Sequence, residues 1–593
     1  MSLTVLWCDE FVRLDPCEGA ALDGENQAPE APPVLLTAAR GGAVSFQLLV
    51  GPLGSGREAL VGPGGLSGPD GARIAASQFD VFVEWYHRID EKWWPDALVP
   101  QDLCGGSTPG LRRRMGLPGA ARFAGFWVDL HVPADAKPGS YSGSVAVGSG
   151  REVVQVPVRV EVAAARVPEK PCLDASFNNY VDSVSAPWPE VKANPRRFWT
   201  ERYRRIERGA FRCVHDHRAF LHYLPYTHAG YVHGDFAPPL AGEGPRKRVA
   251  DWSDWDRHFG PYFDGSAFRG TRRGAVPVPR FWMPLNINWP ADFLKFGKPG
   301  YAAEWRAVGK QMVEHFRRKG WTGTSFDMFP NQKQRFRFVP WDLEEARFLP
   351  DQDVHRYFRP IWESSFGPKA ARPVRFNYTL GSTWTYHIDI RSDLAEFIDL
   401  FIAGTAGPAW YPEELERLHR NGRQVWSCTS SGSIVNPTRA AAFTPLVMWM
   451  RGLDGFMPAW CSMVGWGGDV WHDVPGKGST TFLYPGSELG SEETCPSLRM
   501  KVMRNAMQTV DLLDAAARRS GGAAVRGKVS RLLGFRPADW YMKRPAYVDR
   551  KLPKDWVGAD YATEEPPAVG WQKVPSSGWR ALGRLAAGMA RGR

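Results

Sequence analysis

The 593-residue sequence predicts an α/β protein: a (β/α)8, TIM-like barrel preceded by an N-terminal β-sandwich and followed by a short basic C-terminal tail. Three observations carry this reading. Residues 1–165 run as short apolar alternations broken by Gly, Pro and Asp turns, the pattern of half-buried antiparallel strands. After residue 172 apolar strands alternate with long helical stretches, the rhythm of parallel βα units. Eight such strands can be placed, the number that closes a barrel. A doubly wound open sheet is the alternative for the same units. The chain is too long for one ordinary domain. The expected boundaries are 1–168 for the sandwich, 172–519 for the barrel and 520–593 for the tail.

In the N-terminal part, AVSFQLLV (43–50) and DVFVEWYH (80–87) read as strands. KPGSYSGSVAVGSGREVVQVPVRVEV (137–162) reads as a hairpin turning on Gly-Ser-Gly. Val167-Pro168 closes the unit and Pro171 marks the linker. Barrel strands are expected at 173–181, 211–220, 280–289, 322–329, 373–380, 396–404, 423–430 and 454–462. Helices are expected between them at 195–208, 301–319, 352–364, 411–421 and 438–452. Residues 221–279 exceed an ordinary βα loop and are expected as an insertion on the catalytic face. Residues 496–519 form a closing helix with an apolar face at Leu498, Val502, Met503, Met507, Val510 and Leu513. Beyond residue 520 short basic amphipathic pieces are expected as a loosely ordered terminus.

Composition narrows the function. Aromatic residues make up 13% of the chain and include 26 Trp, which suits stacking on flat apolar faces such as sugar rings or nucleobases. The net charge of +11 comes from scattered clusters such as Arg112 to Arg114 and Arg246 to Arg248, with no nucleic-acid module. An oligo- or polysaccharide partner is therefore expected rather than nucleic acid. None of the eight cysteines forms a CxxC pair, so neither a zinc site nor a disulfide framework is signalled. There is no signal-peptide h-region and no run of 18 apolar residues, so a cytoplasmic chain without a transmembrane segment is expected. No phosphate loop, dinucleotide fingerprint or nucleophile elbow stands in the right context, and no cofactor is expected.

On a barrel the chemistry sits at the C-terminal ends of the strands. Those ends read Asn178, Asn179 and Tyr180; His215, Asp216 and His217; Asn286, Asn288 and Trp289; Asp327, Asn331 and Lys333, followed by Trp341, Glu344 and Glu345; Asn377 and Tyr378; Trp426 and Ser427; and Trp460, followed by Trp466, Asp469, Trp471 and Asp473. Amides and carboxylates bond hydroxyls, and Trp and Tyr stack on ring C–H faces, so the set suits a carbohydrate. Asn288, Trp289, Asn331, Lys333, Trp341, Tyr378, Trp426, Trp460 and Trp471 are the expected substrate-binding residues. The paired carboxylates Glu344 and Glu345 are the expected catalytic residues. His215, Asp216 and His217 hint at a metal, but spacing supplies no third ligand.

The stretch NQK…VPWDLEEARF resembles a pattern in proteins related to glycoside hydrolase family 123. There an Asn-x-Lys follows a barrel strand and a Pro-Trp-x-x-Asp-Glu-Pro segment follows that. Asn331, Lys333, Pro340, Trp341 and Glu345 match, while Glu344 stands in place of Asp and Ala346 in place of Pro. GLDGFMPAW (452–460), Asn436-Pro437, YPG (484–486) and PSLRMKVMRNAMQTVDLL resemble the C-terminal end of the same catalytic region, also known as domain of unknown function 4091. KPGSYSGSVAV resembles the last strands of the β-sandwich that precedes such barrels. The resemblance implies a retaining, N-acetylhexosaminidase-like glycosidase in which the substrate's 2-acetamido oxygen attacks the anomeric carbon. It implies Glu345 as general acid and Glu344 as the group that orients and stabilises the acetamido. The extra methylene of Glu344 keeps other readings open. These are a shifted substrate, ordinary two-carboxylate hydrolysis with a distant partner such as Asp327 or Asp473, or a non-catalytic carbohydrate-binding protein on the same fold; another polysaccharide-active hydrolase or lyase is a further alternative.

Overall fold

The structure is a computed structural model that describes residues 2–590 except 23–28, 55, 105–107, 225–229, 233–236, 331, 333–338, 345, 347–348, 368–373, 383–392, 405, 430–431, 460–462, 464–467, 543–569 and 571–573. Eight parallel strands make one sheet: Asp174–Tyr180, Phe220–Leu224, Arg280–Trp282, Ser325–Met328, Arg375–Ser382, Leu400–Gly404, Gln424–Cys428 and Gly455–Ala459. They are called barrel strands 1 to 8 below. Their order across the sheet is 2-1-8-7-6-5-4-3, so the chain walks round in sequence. Strands 2 and 3, the two ends, lie side by side without a ladder among the described residues, and the barrel is nearly closed.

Seven of the expected strands overlap these. The second does not fall at 211–220, because residues 211–216 end the helix Glu201–Asp216. Tyr203, Ile206, Ala210, Phe211 and Val214 are buried, a helical stripe that wins over the apparent alternation. The Thr200 hydroxyl caps this helix by accepting from the Tyr203 N–H. The strand begins only after Arg218, which takes a left-handed φ of 61°. Within the expected 221–279 insertion, the helix Ser253–Phe263 packs Trp255, Phe259 and Phe263 on Phe281 of strand 3. It is the crossover helix of the second βα unit, and what exceeds an ordinary connection is the stretch 225–252.

The N-terminal part holds two largely antiparallel sheets. One orders Thr4–Asp9, Ala43–Gly51, Ala124–His131, Phe79–Ile89 and Lys92–Pro100. The other is built on the hairpin Gly139–Ser149 and Glu152–Arg166, with Val34–Arg40 added in parallel. Valines of that hairpin and Phe46, Val83 and Phe126 of the first sheet share one apolar cluster. The helix Leu498–Ser520 after strand 8 joins this part to the barrel. Its Arg499 donates to both carboxylate oxygens of Asp96, at 2.9 and 2.8 Å, and the Tyr484 hydroxyl donates to Asp96 at 2.8 Å. Its Lys501 and Arg504 converge on Asp129 at 2.6 and 2.8 Å. All of these side chains are almost fully buried. The tail departs from the expected loose terminus where it is described. The helices Gly522–Leu533 and Ser576–Met589 dock on the body, with Trp579 against Phe11 and Phe443.

Glu84 sits inside the first N-terminal sheet, accepts from the Tyr86 hydroxyl at 3.3 Å, and is pushed up to about 8 by burial. A buried acid with a raised pKa keeps a proton that the unfolded chain releases. Its stability contribution is therefore full below the ordinary value of 4.5 and is lost as pH rises to about 8. Urea unfolding of Glu84→Gln between pH 5 and 8 is expected to show a stability slope smaller than wild type by up to about 1.4 kcal/mol per pH unit. An unchanged slope would show that this carboxyl is ionised in the fold.

Candidate active site

Barrel strand 4 reads SFDM, with all four residues buried, and carries the chain to Phe329 and Pro330 at the C-terminal face. The chain returns to this point at Leu343. The Gln332 carbonyl accepts from the N–H of Leu343 at 3.0 Å and from that of Glu344 at 3.5 Å. The intervening loop is thus cinched at its base, and Glu344 is set between the ends of strands 4 and 5 at 4% exposure. Gly381 of strand 5 lets it in. A Cβ there would stand 2.7 Å from the Glu344 carbonyl oxygen and 3.2 Å from its Cγ. Gly381→Ala is therefore expected to displace Glu344 while leaving the strand intact. Turnover on a cleaved substrate should fall on the order of 10–100-fold, as sub-ångström misplacement of reacting groups does, with a stability loss of about 1–3 kcal/mol because the atom that must move is backbone. Full activity in that variant would mean that Glu344 is not where the chemistry occurs.

Gln332 also reaches sideways. Its amide donates to the Gly230 carbonyl at 3.1 Å and to Asn286 Oδ1. Asn286 Nδ2 donates to the same Gly230 carbonyl at 2.8 Å, and Asn288 Nδ2 donates to the Val232 carbonyl at 2.8 Å. These amides tie the loop after strand 2 to the ends of strands 3 and 4. The helix Leu349–Phe366 braces the other side. Asp351 Oδ1 accepts from the Asp342 N–H at 3.2 Å, and His355 contacts the Leu343 carbonyl at 3.1 Å.

The expected site residues separate into three groups. Glu344, Asn288, Trp289 and Trp341 lie in the described segments at this face. Asn288 is half-buried and occupied with Val232, Trp289 is buried beside a cis Trp289-Pro290 bond, and Trp341 packs on Phe293 and Phe296. Glu345, Asn331, Lys333 and Trp460 lie outside the described residues. Tyr378, Trp426 and Trp471 are placed in the protein's interior, away from a stacking surface. Tyr378 is fully buried, edge-on to Trp362 and Phe397, with its hydroxyl on His355. Trp426 is fully buried inside the barrel with the Arg280 guanidinium 5.0 Å over its ring. Trp471 is buried in the apolar cluster of the N-terminal sheets, on Trp85 and Tyr484, and its indole N–H donates to the Pro485 carbonyl at 3.0 Å.

The other candidates have structural partners too. Asp327 lies inside the barrel between Arg280 at 3.1 Å and Asn377 at 2.8 Å, and burial pushes its carboxyl to about 6 despite that arginine. Asp473 is exposed beyond Trp471. His215 and Asp216 end the helix before strand 2, and His217 follows it, on the opposite face from Glu344. His215 donates to the Gly274 carbonyl and His217 to the Cys213 carbonyl, while burial holds both rings far below the usual imidazole range. Sequence reasoning missed Gln332, His355 and Gly381. Gln332 stands between two residues that were singled out, and only the fold shows that its amide is the clamp.

No protein-family model and no curated protein matches the chain. Solved structures do. A family 123 glycoside hydrolase from Clostridium perfringens, described for glycolipid glycan hydrolysis, superposes over 100% of this chain and 99% of its own with a TM-score of 0.64 at 13% identity. That is a match of fold along the whole chain. A candidate alpha-galactosidase from Bacteroides fragilis NCTC 9343 covers 81% of this chain and 78% of its own at 9% identity, but its TM-score of 0.25 carries no weight.

Proposed function

We propose that the protein hydrolyses a glycosidic bond at the C-terminal face of its barrel, with the Glu344–Glu345 pair as the reacting groups. The observation that carries this is the setting of Glu344. It is a carboxylate withdrawn from solvent between the ends of strands 4 and 5, in a segment clamped by Gln332 and seated against Gly381. A solvated Glu pair on a helix turn would have none of these supports. The full-length match in fold to a family 123 glycoside hydrolase supports the same reading.

In the finer form of the proposal the substrate carries a 2-acetamido group. Its carbonyl oxygen attacks the anomeric carbon, the leaving-group oxygen takes a proton from Glu345, and the oxazolinium that forms is stabilised by Glu344. Water then opens that intermediate with Glu345 as base, so configuration is retained. Asn331 and Lys333, flanking Gln332, together with Trp341 and Trp460 are the proposed sugar contacts. Asn288, Trp289, Tyr378, Trp426 and Trp471 are left out, because the fold already buries them or uses their polar atoms or ring faces.

The test is turnover on paired aryl glycosides, one with a 2-acetamido and one with a 2-hydroxyl group, and on bacterial polysaccharides. Cleavage of the acetamido member alone supports substrate assistance. Equal cleavage of both members points to two-carboxylate hydrolysis. Saturable binding without cleavage would replace hydrolysis by carbohydrate recognition.

A further inference from the structure

We infer that His355, held in one tautomer by the Leu343 carbonyl and hydrogen-bonded by Tyr378, is a positioning residue that fixes the peptide leading into the Glu344–Glu345 pair. The inference rests on the reading of that pair as the reacting groups. His355 belongs to the helix Leu349–Phe366, one turn in from Asp351, and is fully buried. Its Nε2 lies 3.1 Å from the Leu343 carbonyl oxygen and its Nδ1 lies 2.8 Å from the Tyr378 hydroxyl.

The tautomer follows from the partners. A carbonyl oxygen only accepts, so Nε2 carries hydrogen. Burial holds the ring down at about 4, so it is neutral near pH 7 and its Nδ1 is bare. Nδ1 therefore accepts from the Tyr378 hydroxyl, and the three groups form one chain: Tyr378 O–H to Nδ1, Nε2–H to Leu343 C=O. With the second tautomer the Nε2 lone pair would face the Leu343 carbonyl and repel it. The Leu343 carbonyl is what disfavours that tautomer, and the Tyr378 hydroxyl, which can donate or accept, donates to the Nδ1 left bare.

Leu343 precedes Glu344, and the peptide between them is held at both ends. Its C=O accepts from His355 at 3.1 Å and its N–H, that of Glu344, donates to the Gln332 carbonyl at 3.5 Å, the same oxygen that accepts from the Leu343 N–H at 3.0 Å. Rotation of that peptide would swing Glu344 out of its seat against Gly381. Tyr378 is itself anchored, because its backbone N–H donates to Asp399 at 3.0 Å. The position of strand 5 is thus transmitted through one hydroxyl and one imidazole to the peptide that carries Glu344.

The test is steady-state kinetics on the best-cleaved aryl glycoside with Tyr378→Phe, His355→Gln and His355→Leu, together with selective 15N-histidine spectra. His355→Gln offers an N–H donor near the place of Nε2–H and is expected to keep kcat within about threefold. His355→Leu is expected to lose kcat on the order of 10–100-fold with KM within about twofold, the split of a displaced reacting group rather than of lost substrate binding. Tyr378→Phe should fall between the two. It should also shift the His355 Nδ1 resonance, because that nitrogen loses its hydrogen bond while Nε2–H stays on the Leu343 carbonyl, a change that loss of packing alone does not produce. If His355→Leu does not fold, Tyr378→Phe, which removes a single oxygen, decides the matter. Unchanged kcat in a folded His355→Leu, or equal losses in the Gln and Leu variants, would overturn the positioning role while leaving the glycosidase reading intact. A wild-type protein that cleaves none of the glycosides would remove both.

Discussion

Glu345→Gln is expected to lower kcat/KM on a glycoside with a poor leaving group by about 10²–10⁴-fold, the usual worth of a placed general acid. The amide keeps the size and polarity of the carboxyl and removes only the transferable proton. The loss should therefore depend on the leaving group. An aryl glycoside whose phenol leaves without help should be cleaved far more nearly at the wild-type rate in the glycone-transfer step. A further signature is the pH profile: the wild-type rate should fall at high pH as the acid ionises, and the variant should lose that limb. Equal activity of variant and wild type on alkyl glycosides would remove Glu345 from the mechanism. Glu344→Gln separates the two carboxylates. It should harm cleavage of a 2-acetamido sugar, where a positive oxazolinium needs a negative neighbour, without changing sensitivity to the leaving group.

Asp129→Ala is expected to cost about 3–5 kcal/mol of stability, because it leaves Lys501 and Arg504 buried and without their counter-ion. Burial would raise the Asp129 carboxyl, but Arg504 and Lys501 hold it well below the usual carboxylate range. Its contribution is then present above the ordinary value of 3.8 and is lost as pH falls through the depressed folded value. Urea unfolding near pH 7 checks the magnitude, and the same experiment in acid should show wild type converging on the variant. Replacing all three residues together, by Asn at 129 and Met at 501 and 504, should recover most of the loss, since the main cost is a charge stranded in a dry place. A change under about 1 kcal/mol in the single variant would mean that water reaches this network.

The parts of the fold that were legible are those written in local periodicity. The strand SFDM and its neighbours, and the helix Leu498–Ser520, stand where the apolar spacing puts them. The second strand was misplaced because FRCVHDHRAF alternates like a strand, while its burial follows the helix stripe that starts at Tyr203. For the site, the pair Glu344–Glu345 and the aromatics around it were legible as residue types. Which aromatics have a free face was not. Trp471 looks like a sugar platform in sequence, and only the approach of Trp85 from a strand 386 residues away in the chain covers it. Tyr378 likewise alternates as a strand residue, and no pattern announces that its hydroxyl meets a histidine on the preceding helix. Long-range partners of this kind leave no local mark, and the site is built largely from them.

The salt bridge between Asp96 and Arg499 sets a condition on biosynthesis. The two residues are 403 positions apart, so the ribosome makes the anion long before its cation. At about 5–20 residues per second the delay is roughly 20–80 s. Through that interval the sheet that bears Asp96 and Asp129 must either leave these carboxylates in water or take them in protonated. That sheet is thus kept from completing its fold until the helix Leu498–Ser520 has been made. A nascent polypeptide stalled before residue 499 should be open to proteases throughout its N-terminal portion, and one released beyond the helix Leu498–Ser520 should become resistant there in a single step.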